Sequence, residues 1–81
     1  MKLITGSVVR ADAGRDSGGF FAVTKIEGGY CYIADGKSRK LSSPKRKNLK
    51  HISLTDSVIE NINDITDKKL RALLREYGAK E

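Results

Sequence analysis

Residues 6–20, GSVVRADAGRDSGGF, decide the fold of this chain because they place a glycine-rich loop between two β-prone runs. An apolar run around Val8 leads into the loop, and the run FFAVTKI follows it. Clustered glycines mark positions where the backbone adopts positive φ or where another group approaches it closely. The segment therefore predicts two strands joined by a tight loop, whose glycines are Gly14, Gly18 and Gly19.

Further turn signals divide the chain into five short β-prone runs. Gly28-Gly29 is a strong hairpin signal, because two-residue primed turns need positive φ, and Asp35-Gly36 is a second one. Pro44 ends the fourth run, since proline cannot donate to a β ladder. Five short strands joined by tight turns predict a mainly β fold, a small antiparallel barrel. The predicted strands are residues 3–11, 20–27, 30–34, 39–41 and 51–54.

The C-terminal third of the sequence has a different pattern. Residues 56–65 have apolar positions at helical spacing, but these are β-branched and interspersed with asparagine, so we expect an irregular or partly helical connector. Residues 66–77 predict an α-helix that Thr66 caps, with Asp67 spaced to pair with Arg71. The apolar face of this helix is expected to cover an open end of the barrel.

Length and composition indicate a single small folded domain. The chain has 81 residues, of which 38% are hydrophobic and 32% are charged. We expect a barrel over residues 1–55, with the connector and helix of residues 56–81 packed on it.

The single cysteine excludes an internal disulfide and suits a reducing compartment. No apolar run approaches the ~20 residues of a membrane span, and the N-terminus lacks a signal-peptide pattern, so we expect a cytoplasmic monomer without a cofactor.

One segment accounts for the net charge of +6, since the rest of the chain is nearly neutral. No acidic residue interrupts the cations Lys37, Arg39, Lys40, Lys45, Arg46, Lys47 and Lys50. Such a patch is typical of a surface that binds a polyanion, because each cation that neutralises a phosphate releases a counterion. Asn48 can add a directional hydrogen bond, and Arg15 and His51 extend the candidate set. Two alternative interpretations of the basic segment are a solvated loop without a binding role and a nuclear localisation signal at residues 44–47.

The sequence offers no catalytic or metal site. Nucleotide-binding glycine loops lead into a helix N-terminus, whereas this loop leads into a strand. His51, the only histidine, has basic and apolar sequence neighbours rather than a carboxylate or nucleophile. The carboxylates show no metal-ligand spacing, and Cys31 is expected to be a small buried hydrophobe.

The third predicted strand alternates two tyrosines with two apolar residues. Tyr30 and Tyr32 share one face of the strand, while Cys31 and Ile33 share the other. One pair therefore faces the core. Exposed tyrosines would be able to stack on unpaired bases, whereas buried ones would pack in the core.

With these residues placed, the chain resembles the KOW domain of the single-KOW large-subunit ribosomal proteins of archaea and eukaryotes and their short bacterial relatives. The similarity rests on GSVV near the start, on the Asp35-Gly36 turn, on the basic run before His51, and on the loop residues Gly14, Asp16, Gly18 and Gly19. Gly18 matches the glycine that defines the motif. Gly19 stands where many KOW loops have lysine, so Arg15 is the main cation of this loop. The resemblance implies an SH3-like barrel, RNA binding and association with the ribosome.

These observations predict a non-enzymatic RNA-binding protein that contacts ribosomal RNA, or acts in ribosome assembly, through its basic segment. Two other functions stay open. The chain could be a protein-interaction module of a translation or transcription complex, with a ribosomal protein or translation factor as its partner. It could also be a DNA-binding, transcription-associated KOW domain.

Overall fold

Five antiparallel strands form one sheet in the order β4-β3-β2-β1-β5, and a C-terminal helix packs on it. The computed structural model describes residues 2–80, with side chains as far as residue 77. A 3₁₀ turn at Leu49–His51 joins the last two strands. The elements are β1 Ser7–Ala11, β2 Phe20–Glu27, β3 Tyr30–Ala34, β4 Lys45–Asn48, β5 Ile52–Val58 and α1 Asp67–Lys80.

The mainly β fold and the β2–β3 hairpin are confirmed. Strands β2 and β3 have the predicted bounds, and the Gly28-Gly29 turn sets Glu27 opposite Tyr30. The first strand begins only at Ser7, and β5 extends to Val58, into the predicted connector. Most of the remaining connector, up to residue 64, consists of turns.

The prediction of a strand at residues 39–41 is wrong. The Asp35 carboxylate accepts hydrogen bonds from the backbone amides of Lys37 and Arg39, at 2.9 and 2.8 Å, and this folds the segment into a turn. The fourth strand lies instead within the basic run, where Lys45–Asn48 pairs with β3. Cationic side chains are well tolerated on such a short edge strand.

The sheet buries apolar side chains on both faces. On one face, which we call the inner face, a cluster of buried side chains is formed by Val9, Ala11, Phe21, Val23, Cys31 and Ile33. On the opposite face, which we call the helix face, Val8, Ala22 and Ala34 pack against Leu70 and Leu74 of α1. The helix therefore covers a face of the sheet rather than an open end, which corrects the predicted docking. Small residues at positions 22 and 34 let the helix approach closely.

The start of α1 is held against the turn that follows β3. Thr66 caps the helix as predicted, since its hydroxyl accepts from the Lys69 amide at 3.2 Å. Gly36 is buried at a φ of +77°, and a Cβ at this position would overlap the carbonyl oxygen of Asp67. The Asp67 carboxylate accepts from the Leu41 amide at 2.8 Å. These contacts fix the turn and the helix to each other.

Candidate functional site

The glycine loop between β1 and β2 is anchored to the basic segment at two points. The Arg39 guanidinium donates to both carboxylate oxygens of Asp16, with N–O distances of 3.3 and 3.2 Å. The Asp16 side chain is only 10% exposed, so the pair is well shielded. Gly14 and Gly18 have φ of +79° and +87°, as the sequence predicted. The paired charges of Asp16 and Arg39 therefore hold the loop in place.

Lys47 provides the second anchor and lies in the interior. It is opposite Cys31 in the β3–β4 ladder, which turns its side chain toward the inner face, and it is 8% exposed. Its Nζ donates to the Ala13 carbonyl oxygen at 2.7 Å. The expectation that Lys47 contacts phosphate is therefore corrected, because its ammonium group is buried and already bonded. Alternation along β4 explains this position, and a sequence read as a loop could not reveal it.

Asn48 has a structural role as well. Its Oδ1 accepts from the Lys50 amide at 2.9 Å, and this hydrogen bond caps the 3₁₀ turn between β4 and β5. The Asn48 side-chain oxygen is therefore engaged within the chain, and contacts of Asn48 and Arg39 with RNA stay predictions.

The other predicted contact residues are at the surface. Arg15, Lys37, Lys40, Lys45, Arg46, Lys50 and His51 are all exposed. Within residues 2–77 the ion pairs are Arg10–Asp12, Lys25–Glu27 and Arg39–Asp16, so no described carboxylate pairs with any of these exposed lysines and arginines. The Lys40 ammonium lies 3.4 Å from the Gly36 carbonyl oxygen, which leaves its charge uncompensated. The basic segment thus presents five uncompensated cations, Lys37, Lys40, Lys45, Arg46 and Lys50.

The tyrosines of β3 lie on the helix face, beyond the part that α1 covers. Cys31 and Ile33 occupy the inner core, so alternation places Tyr30 and Tyr32 on the other side of the strand. Tyr30 is 41% exposed, and the Arg46 guanidinium lies 4.7 Å from its ring centroid. Both distance and residue types fit a cation–π contact. Both tyrosines therefore point away from the inner core, with Tyr30 exposed and Tyr32 half-buried.

Lys25 completes this surface, and the sequence analysis missed it. It lies opposite Tyr32 in the β2–β3 ladder, with its Nζ 5.8 Å from the ring centroid. Its position was predictable from the two-residue turn at Gly28-Gly29. Such a turn pairs residue 27 with 30, and therefore residue 25 with 32. Glu27, 3.1 Å from the Lys25 ammonium, raises the pKa of Lys25 above its usual value by hydrogen bonding and charge attraction. Lys25 is therefore cationic at neutral pH. We call Lys25, Tyr30, Tyr32 and Arg46 the tyrosine surface.

A second feature is a cleft of about 350 Å³ beside the helix. Phe20 and Leu74 provide its apolar part, and Asp35 and three cations, Lys37, Arg71 and Arg75, complete it. The predicted Asp67–Arg71 pair is not among the ion pairs of the described residues, and the Asp67 carboxylate accepts from the Leu41 amide instead. Arg71 and Arg75 make no ion pair with any residue whose side chain is described. Together with Lys37, they give the cleft a net positive charge.

Other chemistry-bearing groups are dispersed. Burial raises the pKa of the Cys31 thiol, which keeps it protonated and unreactive at neutral pH. No three of the described His, Cys, Asp and Glu residues converge as metal ligands do. His51 is exposed, and its carbonyl oxygen accepts from the Asp12 amide at 2.9 Å.

No protein-family model matches the chain, and no curated protein matches it at a significant level. The features of the molecule that bear on function are the tyrosine surface, the uncompensated cations and the cleft. In the part of the chain that is described, no helix has the length and apolar character needed to span a membrane.

Proposed function

We propose that this protein binds RNA without catalysing a reaction, and that the RNA is ribosomal. The observation that carries the proposal is the set of five exposed cations of the basic segment that no described carboxylate neutralises. A surface kept soluble by charge mixes both signs, whereas a row of one sign attracts a polyanion and speeds its association. Aromatic rings among these cations favour a nucleic acid over other polyanions, because bases have flat apolar faces.

We further propose that the sheet curls into an SH3-like barrel of the KOW type. Strands β4 and β5 lie at the two edges of the sheet, yet only the three residues Leu49–His51 separate them in sequence. In a flat sheet, four strand spacings of about 4.8 Å would hold the two edges about 19 Å apart. Three residues of 3₁₀ helix rise only about 6 Å. This mismatch supports a strongly curled sheet whose edges approach each other.

The first test measures affinity against salt concentration. Five phosphate contacts would weaken binding by about a hundredfold to five-hundredfold between 50 and 200 mM salt. We expect this steep loss for a labelled fragment of structured ribosomal RNA, measured by fluorescence anisotropy. A duplex DNA of equal length at matched salt should bind more weakly. A salt-independent affinity would contradict the electrostatic mechanism, and tighter binding to duplex DNA would favour the transcription-associated alternative.

The assignment to the ribosome and to the cytoplasm rests on the KOW resemblance and on the single reduced cysteine. Sucrose-gradient sedimentation of a cell extract tests it. The protein should travel with ribosomal subunits at low salt and be released at high salt. Sedimentation only at the top of the gradient at both salt concentrations would contradict ribosome association.

The cleft beside α1 favours a second candidate function, which is docking on an acidic segment of a protein partner. Its apolar part suits one aliphatic side chain, and its three cations suit flanking carboxylates. A base is a poorer occupant, because the ring of Phe20 already packs against that of Tyr77 at a centroid distance of 5.7 Å.

We expect reversal of Arg71 and Arg75 to glutamate to abolish binding of a labelled peptide that has three glutamates around one leucine. RNA affinity should change by less than about threefold, because this variant retains all five cations of the basic segment. The variant with Lys68 and Lys69 reversed has the same net charge and serves as the control. A loss of RNA affinity confined to the Arg71/Arg75 variant would assign the cleft to the RNA-binding surface instead.

A further inference from the structure

We infer that the tyrosine surface binds unpaired nucleotides by base stacking, so that the protein selects single-stranded over double-stranded RNA. This inference rests on the proposed RNA binding and specifies the class of RNA. It is carried by the arrangement of two tyrosine rings on one face of β3, each within cation–π range of a basic side chain.

The spacing of the tyrosines suits separated bases. Tyr30 and Tyr32 are two residues apart on one strand, which places their side chains about 6.6 Å apart along it. Consecutive base pairs of a duplex are only about 3.4 Å apart and hide their faces against each other. Two neighbouring bases can reach both rings only after they unstack. An extended single strand meets this condition, and a paired helix presents base edges and phosphates instead.

Arg46 adds a second flat group to the surface. Its guanidinium lies 4.7 Å from the Tyr30 centroid, and Arg46 itself is exposed. A guanidinium that packs on one ring has a free plane on its other side, where a base can stack, and its N–H groups can donate to a phosphate. The site therefore combines stacking and charge neutralisation in one side chain.

Lys25 contributes less than Arg46. Its ammonium is held by the Glu27 carboxylate at 3.1 Å, so a phosphate would have to displace that partner. Glu27 also lies opposite Tyr30 in the ladder and adds a negative charge at the end of the hairpin. We therefore expect the strand to run across Tyr30 and Arg46, toward the uncompensated cations of β4 rather than toward the hairpin tip.

The test measures the affinities of the wild-type protein and of Tyr30 variants for two RNA probes. The probes are a labelled ten-nucleotide oligouridine and a blunt ten-base-pair RNA duplex, measured by anisotropy at one salt concentration. Tyr30→Ala should weaken oligouridine binding by about fivefold to a hundredfold, the range that loss of one stacked base produces. Duplex affinity should change by less than about twofold. Tyr30→Phe keeps the ring and should bind oligouridine as the wild type does.

Arg46→Lys separates stacking from charge. This variant keeps the positive charge but loses the planar group, so we expect weaker oligouridine binding with an unchanged salt dependence. An unchanged affinity in Arg46→Lys and in Tyr30→Ala would overturn the inference. So would tighter binding of the duplex by the wild-type protein, a result that leaves the proposed RNA binding intact. Failure to bind either probe would overturn the inference, and failure to bind the fragment of structured ribosomal RNA as well would refute both proposals.

Discussion

We expect that reversing Lys45, Arg46 and Lys50 to glutamate lowers the affinity for RNA by at least about a hundredfold at 0.1 M salt. Each side chain is exposed and no described carboxylate pairs with it, so each reversal removes an attraction and adds a repulsion. The loss should shrink as salt rises, because screening weakens both effects. Anisotropy titrations at several salt concentrations measure it, and circular dichroism checks that the fold is kept.

The matched control reverses Lys2, Lys68 and Lys69, which are also exposed and lie outside the basic segment. Both triple variants bring the formal net charge from +6 to 0, so they share any effect of overall charge. The control should lose less than about tenfold in affinity. An equal loss in the two variants would mean that RNA senses only net charge, and it would contradict a defined binding surface on β4.

Local turn chemistry made the central hairpin predictable from the sequence. Gly28-Gly29 fixed the turn, and the register that follows from it sets Lys25 opposite Tyr32. The glycine loop was predictable for the same reason, since Gly14 and Gly18 do adopt positive φ. In these places a single residue type determines the backbone conformation, without help from distant parts of the chain.

The fourth strand could not be predicted in this way. Lys45–Asn48 has no apolar alternation and becomes a strand only because β3 offers it an edge to pair with. Residues 39–41 have a better β pattern, but the Asp35 carboxylate folds them into a turn. Once β4 was misplaced, sequence reasoning had no means to separate the outward side chain of Arg46 from the inward one of Lys47. Sequence reasoning therefore identified the basic segment but not which of its side chains are exposed and which are buried.

Lys47→Glu is expected to destabilise the fold by about 3–5 kcal/mol, the usual cost of leaving a buried charge without its partner. The new carboxylate would lie near the Ala13 carbonyl oxygen that now accepts from the Lys47 ammonium. Domains of this size have about 4–12 kcal/mol of stability in total, so a substantial part would be lost. Urea unfolding followed by circular dichroism gives the change in the free energy of unfolding.

Two further variants identify the cause of the stability loss in Lys47→Glu. Lys47→Met keeps the buried aliphatic stem but loses the hydrogen bond to Ala13, so we expect a smaller cost of about 1–3 kcal/mol. Lys45→Glu makes the same charge change two residues earlier on β4 at an exposed position, and it should change stability by less than about 0.5 kcal/mol. If Lys47→Glu were as stable as Lys45→Glu, Lys47 would not be a buried anchor, and it would return to the set of cations available to RNA. A charge-reversal test that included Lys47 would confuse unfolding with loss of contact, which is why the binding variants leave this residue unchanged.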